Sequence, residues 1–198
     1  KHAIVGLEYD VNDKWSVNIE AYVKDFSQLI NLNRNKLHED NQNNYDIADE
    51  LKKDFIVESG LAKGLDFLVK YNDQQTSLWM VYSLGKVSRT DAFGTYAPHY
   101  DRRHNINLVG SYVFGEDRSW TLDARWNFGS GFPFTKTQGY YENLTFEDGI
   151  ATDVTQSNDE LGVLYADYNL GQMPSYHRMD LSIRKQIKFS KRSILETI

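Results

Sequence analysis

The sequence predicts an all-β fold: an antiparallel transmembrane β-barrel, of which residues 1–198 hold about eight strands. Apolar and polar residues alternate along each predicted strand, and aromatic residues lie at the ends of the apolar rows. Short polar turns alternate with long polar segments. No run of about 18 apolar residues occurs, so the sequence contains no transmembrane helix. This combination is typical of barrel strands in the bacterial outer membrane.

The clearest strand spans residues 120–128, where five apolar residues alternate without error with four polar ones. Period two predicts an extended strand with one apolar and one polar face. Trp120, Trp126 and Phe128 place aromatic rings at both ends of the apolar row. Transmembrane barrels carry such aromatic girdles at both membrane interfaces, and their polar faces line the lumen.

The same alternation recurs along the chain. The predicted strands span residues 3–10, 15–24, 55–71, 77–89, 105–114, 120–128, 178–189 and 194–198. The facing of 77–89 is ambiguous, because Leu78 and Met80 compete with Trp79 and Val81 for the apolar face. In 178–189, Lys185 is the one charge on the apolar face, and we expect it near an interface, where its ammonium group reaches water.

The predicted connections alternate in length. Short turns lie near residues 11–14, 72–75, 115–118 and 190–193, and long loops at about 27–53, 91–100 and 130–175. Outer-membrane barrels have short periplasmic turns and longer extracellular loops, whereas a soluble β-sandwich or jelly roll has no reason to keep this asymmetry. The chain is therefore predicted to be one partial barrel domain, located as a multi-pass protein in the bacterial outer membrane.

Composition narrows the function further. The net charge of -6 argues against nucleic-acid binding, and the 14% aromatic content suits aromatic girdles. Cysteine is absent, which fits an exported protein without disulfides as well as a cytosolic one. No signal peptide is present, so it was removed or the chain is an internal piece of a longer one. The sequence contains no known catalytic or cofactor-binding motif. We therefore expect a protein without enzymatic activity and without a cofactor.

Aromatic residues in the loops are candidates for ligand contact, because exposed rings often form binding surfaces; loop packing or interface anchoring explains them equally well. The candidates are Tyr96, Tyr100, Phe132, Phe134, Tyr140 and Tyr141. A second set occupies the polar faces of two predicted strands and is expected to face the lumen, either along a substrate path or simply paired across strands. This set is Asp123, Arg125, Asn127, Arg178, Asp180 and Arg184.

A metal site is not expected. His99 and His104 flank Asp101, but alternation along a strand would turn His104 and Asp101 to opposite faces, and no further ligand cluster is evident. A barrel-scaffold enzyme would need a convergent catalytic set, for which His99, Asp101 and Ser130 are the only simple candidates. Nothing in the sequence favours that arrangement.

Four segments resemble TonB-dependent outer-membrane receptors, particularly those of Bacteroidetes type. YAPHYDRRHNINL at 96–108 resembles the entry into a late barrel strand, and WNFGSGFPFT at 126–135 resembles a strand exit into a long extracellular loop. PSYHRMDLS at 174–182 is similar to the re-entry strand after that loop, and GLAKGLD at 60–66 is similar to another barrel strand. The resemblance covers about residues 55–195 in family order.

The resemblance implies a barrel of about 22 strands with a plug domain in its lumen. It implies a receptor that imports a scarce nutrient, such as an iron chelate, vitamin, glycan or peptide, with energy from the TonB–ExbB–ExbD complex. Outer-membrane lipid is a further partner that it implies, and a surface lipoprotein that caps the barrel, as in glycan-importing pairs, is an alternative that it leaves open. The chain shows neither plug nor TonB box and resembles the C-terminal part of the barrel, short of its last strands. The alternative is a complete eight-stranded barrel with a structural or adhesive role.

Overall fold

The computed structural model describes residues 1–142, 161–190 and 193–197. The described part is almost entirely antiparallel β-structure, which confirms the predicted class. Its strands are β1 (His2–Asn12), β2 (Trp15–Leu32), β3 (Phe55–Asn72), β4 (Thr76–Thr90), β5 (Thr95–Tyr96), β6 (His104–Phe114), β7 (Trp120–Gly129), β8 (Pro133–Phe134), β9 (Thr137–Glu142), β10 (Leu161–Tyr165), β11 (Gly171–Gln172), β12 (Tyr176–Ser190) and β13 (Ser193–Thr197). A 3-10 helix, Gln42–Asn44, and a one-turn α-helix, Asp49–Lys52, lie between β2 and β3.

One large sheet contains the eight predicted strands. Its order is β1-β2-β3-β4-β6-β7-β12-β13, with the short β5 beside β4. Two small hairpin-like sheets, β9 with β10 and β8 with β11, lie within the loop between β7 and β12. No helix in the described part of the chain is long and apolar enough to cross a membrane.

The strand register places the apolar rows side by side. One continuous row crosses six strands through Leu7, Ile19, Phe67, Tyr82, Ile106 and Phe128. We call this side of the sheet the apolar face. The opposite side is the polar face, and one of its rows contains Glu20, Asp66, Ser83 and Asn105. Since a slip of one residue would exchange the faces, this pairing sets the register of the whole sheet.

The structure resolves the ambiguous facing of β4. Met80 pairs with Val69 and Leu108, which puts Leu78, Met80, Tyr82 and Leu84 on the apolar face. Trp79 therefore lies on the polar face, opposite Lys70, whose ammonium nitrogen is 4.9 Å from the centre of the indole ring. This cation–π contact accounts for an aromatic ring on the polar side. Lys185 lies on the apolar face as predicted, 4.7 Å from the ring of Trp120.

In the described part of the chain, no second layer covers the sheet. Among the described residues none of the hydrophobic side chains is buried, and Val5 is 70% and Leu181 63% exposed. A β-sandwich would bury one face of the sheet against another sheet, so that alternative is wrong for this chain. β1 and β13 each pair on one side only in the described part, so these strands form an open sheet and not a closed eight-stranded barrel.

The turns at one end of the sheet are short. β1 and β2 are joined by two residues and β3 and β4 by three, and the second of these turns is organised by Asp73. Its carboxylate accepts hydrogen bonds from the backbone of Gln75 and Thr76, both at 2.8 Å, and from the Tyr71 hydroxyl at 2.7 Å. The Tyr71 bond, with the two backbone donors, lowers the pKa of Asp73 to about 2.

The other end carries the long loops. The loop predicted at about 27–53 begins later than expected, because β2 extends to Leu32. A bulge between Phe26 and Leu29 shifts the register and interrupts the period-two pattern, which hid the end of the strand. The second loop spans 91–103 and contains β5, and the third spans 130–175, of which residues 143–160 lie outside the described part.

Candidate functional site at the long-loop end

A group of polar and aromatic side chains joins the three long loops where they leave the polar face. We call it the Glu58 cluster; it consists of Asn31, Arg34, Glu58, Arg89, Asp91, Tyr96 and Tyr168. β3 and β4 supply Glu58 and Arg89 from positions on the polar face near their ends. The remaining members come from the end of β2 and from all three loops.

Glu58 is the centre of the cluster. Its side chain is buried, with the residue only 2% exposed, and its carboxylate accepts a hydrogen bond of 2.7 Å from the Tyr96 hydroxyl. Arg34 and Arg89 contact it at 3.4 and 3.3 Å. The amide nitrogen of Asn31 lies 3.3 Å from one of its oxygens. A buried carboxylate is tolerated only with such charged and hydrogen-bonding partners, so these contacts depend on one another.

Arg34 connects the first loop to the other two. Its guanidinium carbon lies 4.1 Å from the ring centre of Tyr96 and 4.4 Å from that of Tyr168, and the two rings meet edge to face. It also forms an ion pair with Asp91. Arginine stacks on aromatic rings while it keeps its hydrogen bonds in the plane, which suits it to this position.

Asn169 strengthens the same connection. Its side-chain nitrogen donates to the carbonyl of Ala97 at 2.8 Å, and its backbone N–H donates to the Thr135 hydroxyl at 3.1 Å. Asn169 has a φ of 57°, in the left-handed region that asparagine tolerates better than most residues. The second and third loops are thereby held against each other beside the Glu58 cluster.

The cluster changes the chemistry of Tyr96. Burial, followed by the hydrogen bond to the Glu58 carboxylate and its negative charge, raises the pKa of Tyr96 to about 12. The hydroxyl therefore remains a hydrogen-bond donor across the physiological pH range.

A pocket of about 300 Å³ opens beside the cluster. Tyr96, Tyr100 and Tyr168 line it together with Arg34 and Arg89. Tyr100 accepts hydrogen bonds from Arg89 at 3.1 and 3.0 Å. Aromatic walls with a few fixed polar groups are typical of small-molecule sites. The charges of Arg34 and Arg89 are balanced by Glu58 and Asp91, so the pocket is lined by paired polar groups and aromatic rings.

The structure divides the predicted loop aromatics into separate groups. Tyr96 and Tyr100 lie in this pocket, whereas Phe132 packs under the Arg102 guanidinium at 4.2 Å and Phe134 lies in β8, paired with Gly171. Tyr140 and Tyr141 lie on β9 and are 69% and 52% exposed. The six rings therefore do not form one surface.

The residues predicted to face the lumen share the polar face. Arg178 lies opposite Asn127, and Asp180 lies opposite Arg125. Arg184 contacts Asp123 across the strands at 3.0 Å, and Arg178 contacts Asp180 along its own strand at 3.0 Å. These contacts show local charge pairing at four of the six positions.

The residues considered for metal binding or catalysis make hydrogen bonds and ring contacts within the structure. His104 is 2.9 Å from the Tyr82 hydroxyl, and the Asp101 carboxylate accepts from the backbone of Val87 at 2.7 Å. The Ser130 hydroxyl accepts from the backbone N–H of His104 at 3.0 Å, and His99 packs on the Tyr100 ring. The described residues contain no group of three side chains suited to hold a metal ion.

Sequence reasoning missed Glu58, Arg34 and Arg89. Glu58 and Arg89 lie near the ends of predicted strands. Arg34 lies in a polar segment whose composition indicates only a solvent-exposed loop. The sequence could have indicated only that Glu58 and Arg89 lie on the polar face, because this follows from the alternation along β3 and β4.

No protein family model and no curated protein matches the chain. Among solved structures, the chain is similar to the crystal structure of the ferripyoverdine receptor of the outer membrane of Pseudomonas aeruginosa, bound to ferripyoverdine. The match has a TM-score of 0.44 and 14% sequence identity, and covers 93% of this chain and 27% of the receptor. The chain thus spans about a quarter of the receptor's length. This similarity is too low to establish the family.

Proposed function

We propose that the chain is part of an outer-membrane receptor and active transporter that imports a scarce nutrient. The observation that carries this proposal is the single-layer sheet, which is apolar on one face, polar on the other and uncovered on both. Lipid is the environment that matches the apolar face, since a row of exposed Leu, Ile, Val and aromatic side chains has no protein partner in the described part. The polar face then lines a lumen.

The open sheet supports a place within a larger barrel. The outer edges of β1 and β13 carry backbone groups that a closed barrel of about 22 strands would pair with further strands. In this proposal the family is the TonB-dependent receptors, of Bacteroidetes type. A plug domain and TonB box elsewhere in the receptor, together with the TonB–ExbB–ExbD complex, would supply the energy coupling, and a surface lipoprotein could cap the loops.

The pocket beside the Glu58 cluster is the proposed ligand-contact surface. It faces the long-loop side, which is extracellular in outer-membrane barrels, and it combines three tyrosines with two arginines. The proposed ligand is an iron chelate, vitamin, glycan or peptide that contacts the tyrosine rings and their polar neighbours. The lumen-facing proposal for Asp123, Arg125, Asn127, Arg178, Asp180 and Arg184 follows from their shared polar face.

The intact mass of the polypeptide in isolated outer membranes tests the larger-barrel proposal. We expect a mass several times the 23.0 kDa of residues 1–198. A mass near 23 kDa in the outer-membrane fraction would contradict the transporter and favour a small barrel.

Uptake measurements test the activity. Cells that express the protein would be compared with a deletion strain for uptake of radiolabelled ferric siderophores, cobalamin, oligosaccharides and peptides. We expect one class to depend on the protein, and its uptake to stop when a protonophore collapses the proton-motive force. Uptake that survives the protonophore would contradict energy coupling.

A further inference from the structure

The apolar face contains a groove at its long-loop side. The groove has a volume of about 510 Å³ and crosses the first four strands of the sheet. Val5, Ala21, Val23, Leu65 and Leu84 form its apolar walls, and the small side chain of Ala21 leaves a depression between its larger neighbours. The lining is of the kind that contacts hydrocarbon chains.

Two lysines line the long-loop end of the groove. Lys63 precedes Leu65 on β3, and Lys86 follows Leu84 on β4, each on the apolar face; on β3 this face continues past Lys63 to Leu61. The two are Cα partners, directly opposite each other, and both are exposed. Like charges in this arrangement repel each other, and neither lysine has an ion pair with a carboxylate in the described part of the chain.

A third cation lies beside the lysines. Arg103 lines the same groove, and its carbonyl accepts a hydrogen bond of 3.0 Å from the backbone of Gly85, next to Lys86. Its guanidinium contacts Asp101 at only 3.9 Å, and that carboxylate is already hydrogen-bonded to the backbone of Val87. A single lysine at a membrane interface needs no explanation beyond reaching water. Three cations around the mouth of an apolar groove, two of them directly opposed, match a phosphorylated lipid.

We propose that this groove binds the phosphorylated glycolipid of the outer leaflet, with an acyl chain along the apolar walls and a phosphate between Lys63, Lys86 and Arg103. The proposal rests on the proposed function only for the location in an outer membrane. The outer leaflet is chosen because the cations lie toward the long loops, which are extracellular in such barrels. Ammonium and guanidinium groups both bind phosphate strongly when the surroundings exclude water.

Native mass spectrometry of the full-length protein, purified from outer membranes in detergent, tests the proposal with three lipids: bisphosphorylated lipid A, dephosphorylated lipid A and phosphatidylglycerol. We expect bisphosphorylated lipid A to bind tightest. The Lys63→Gln, Lys86→Gln double variant should bind it about 30-fold more weakly, since two cations at the membrane surface are lost. Lys185→Gln is the matched control, because Lys185 is also on the apolar face but near the short turns.

Several results would overturn the proposal. Equal binding of dephosphorylated lipid A would remove the role of the phosphate, and tighter binding of phosphatidylglycerol would assign the groove to a phospholipid. An equal loss in Lys185→Gln would show a general charge effect. The lipid comparison on the wild-type protein decides the question even if the double variant does not fold. Failure of lipid binding leaves the uptake result untouched, whereas absence of the protein from outer membranes would refute the proposed function itself.

Discussion

The arrangement around Glu58 shows how one buried charge can organise several loops. Arg34 and Arg89 approach its carboxylate from different segments, and Tyr96 donates the shortest of its hydrogen bonds. Each partner loses much of its own electrostatic compensation if the carboxylate is removed, because the site is shielded from water. The shape of the adjacent pocket therefore depends on this single residue.

Replacement of Glu58 by Gln should loosen the long loops. The substitution leaves two arginines, with side chains 18% and 23% exposed, facing a neutral amide. We expect the free energy of local opening to fall by about 3 kcal/mol. Hydrogen exchange would report faster exchange in residues 33–54 and 91–103 than in the wild-type protein.

The exposed Glu8→Gln, on the outer strand β1, serves as the control and should leave exchange in the loops unchanged. Unaltered protection of the loops in the Glu58 variant would show that they are held by other contacts.

The raised pKa of Tyr96 predicts a change at alkaline pH. Because the pKa in the folded protein is about 12, above the ordinary value of 10.0, the stabilisation is fully present below pH 10 and is lost as pH rises through about 12. Ultraviolet absorbance at about 295 nm, compared between wild type and Tyr96→Phe, should reveal a tyrosine that ionises near pH 12.

In Glu58→Gln the same tyrosine should ionise at lower pH, because the neighbouring negative charge is gone. A difference spectrum with its midpoint near pH 10 in the wild-type protein would contradict the contact between Tyr96 and Glu58.

At the level of strands, hydrogen bonding between neighbours turns separate patterns into two faces. The alternation along a single strand indicates which of its residues share a side. Only pairing between strands places Leu122 beside Tyr112 and Ile183. The end of β2 also depends on pairing. The alternation is interrupted at the bulge, but β2 continues for several residues beyond it because pairing with β3 continues on both sides.

Arginine substitutions test the assignment of the two faces. Leu108→Arg places a charge on the apolar face near its middle, in the row of Met80 and Trp126, and should destabilise the protein by about 2–4 kcal/mol in a bilayer. Asn107→Arg is the matched control on the polar face, where Asn107 lies opposite Val81 and Asn127, and its effect should be small. Urea unfolding in lipid vesicles measures the stability of both variants. Equal losses of stability would contradict the assignment of the two faces.

At the scale of the whole molecule, the decisive property is a sheet without a core. None of the hydrophobic side chains in the described part is fully buried, so the stability of the sheet depends strongly on the medium around its apolar face. A bilayer stabilises the apolar face. It does not stabilise unpaired strand edges, because lipid offers no hydrogen bonds to their backbone groups. In the proposed outer-membrane location, the sheet would therefore depend both on lipid and on partner strands for β1 and β13.

Residues 1–198 expressed alone should not form a stable monomer in detergent. The open edges of β1 and β13 leave backbone groups unpaired, each at a cost of several kcal/mol in an apolar medium. Refolding into micelles, followed by size-exclusion chromatography, should give aggregates or oligomers joined at these edges. A protease-resistant monomer of 23.0 kDa would indicate that the segment closes by itself.

The sequence by itself determined the all-β class, eight strands, the facing of six of them and the difference between short turns and long loops, because alternation and turn composition are local properties. Only the tertiary structure decided the facing of β4, the length of β2 and the meeting of Arg34, Glu58 and Tyr168. It also placed Lys63 opposite Lys86. The physical reason is that these features depend on strand register and on contacts between distant segments, which no local pattern of residues specifies.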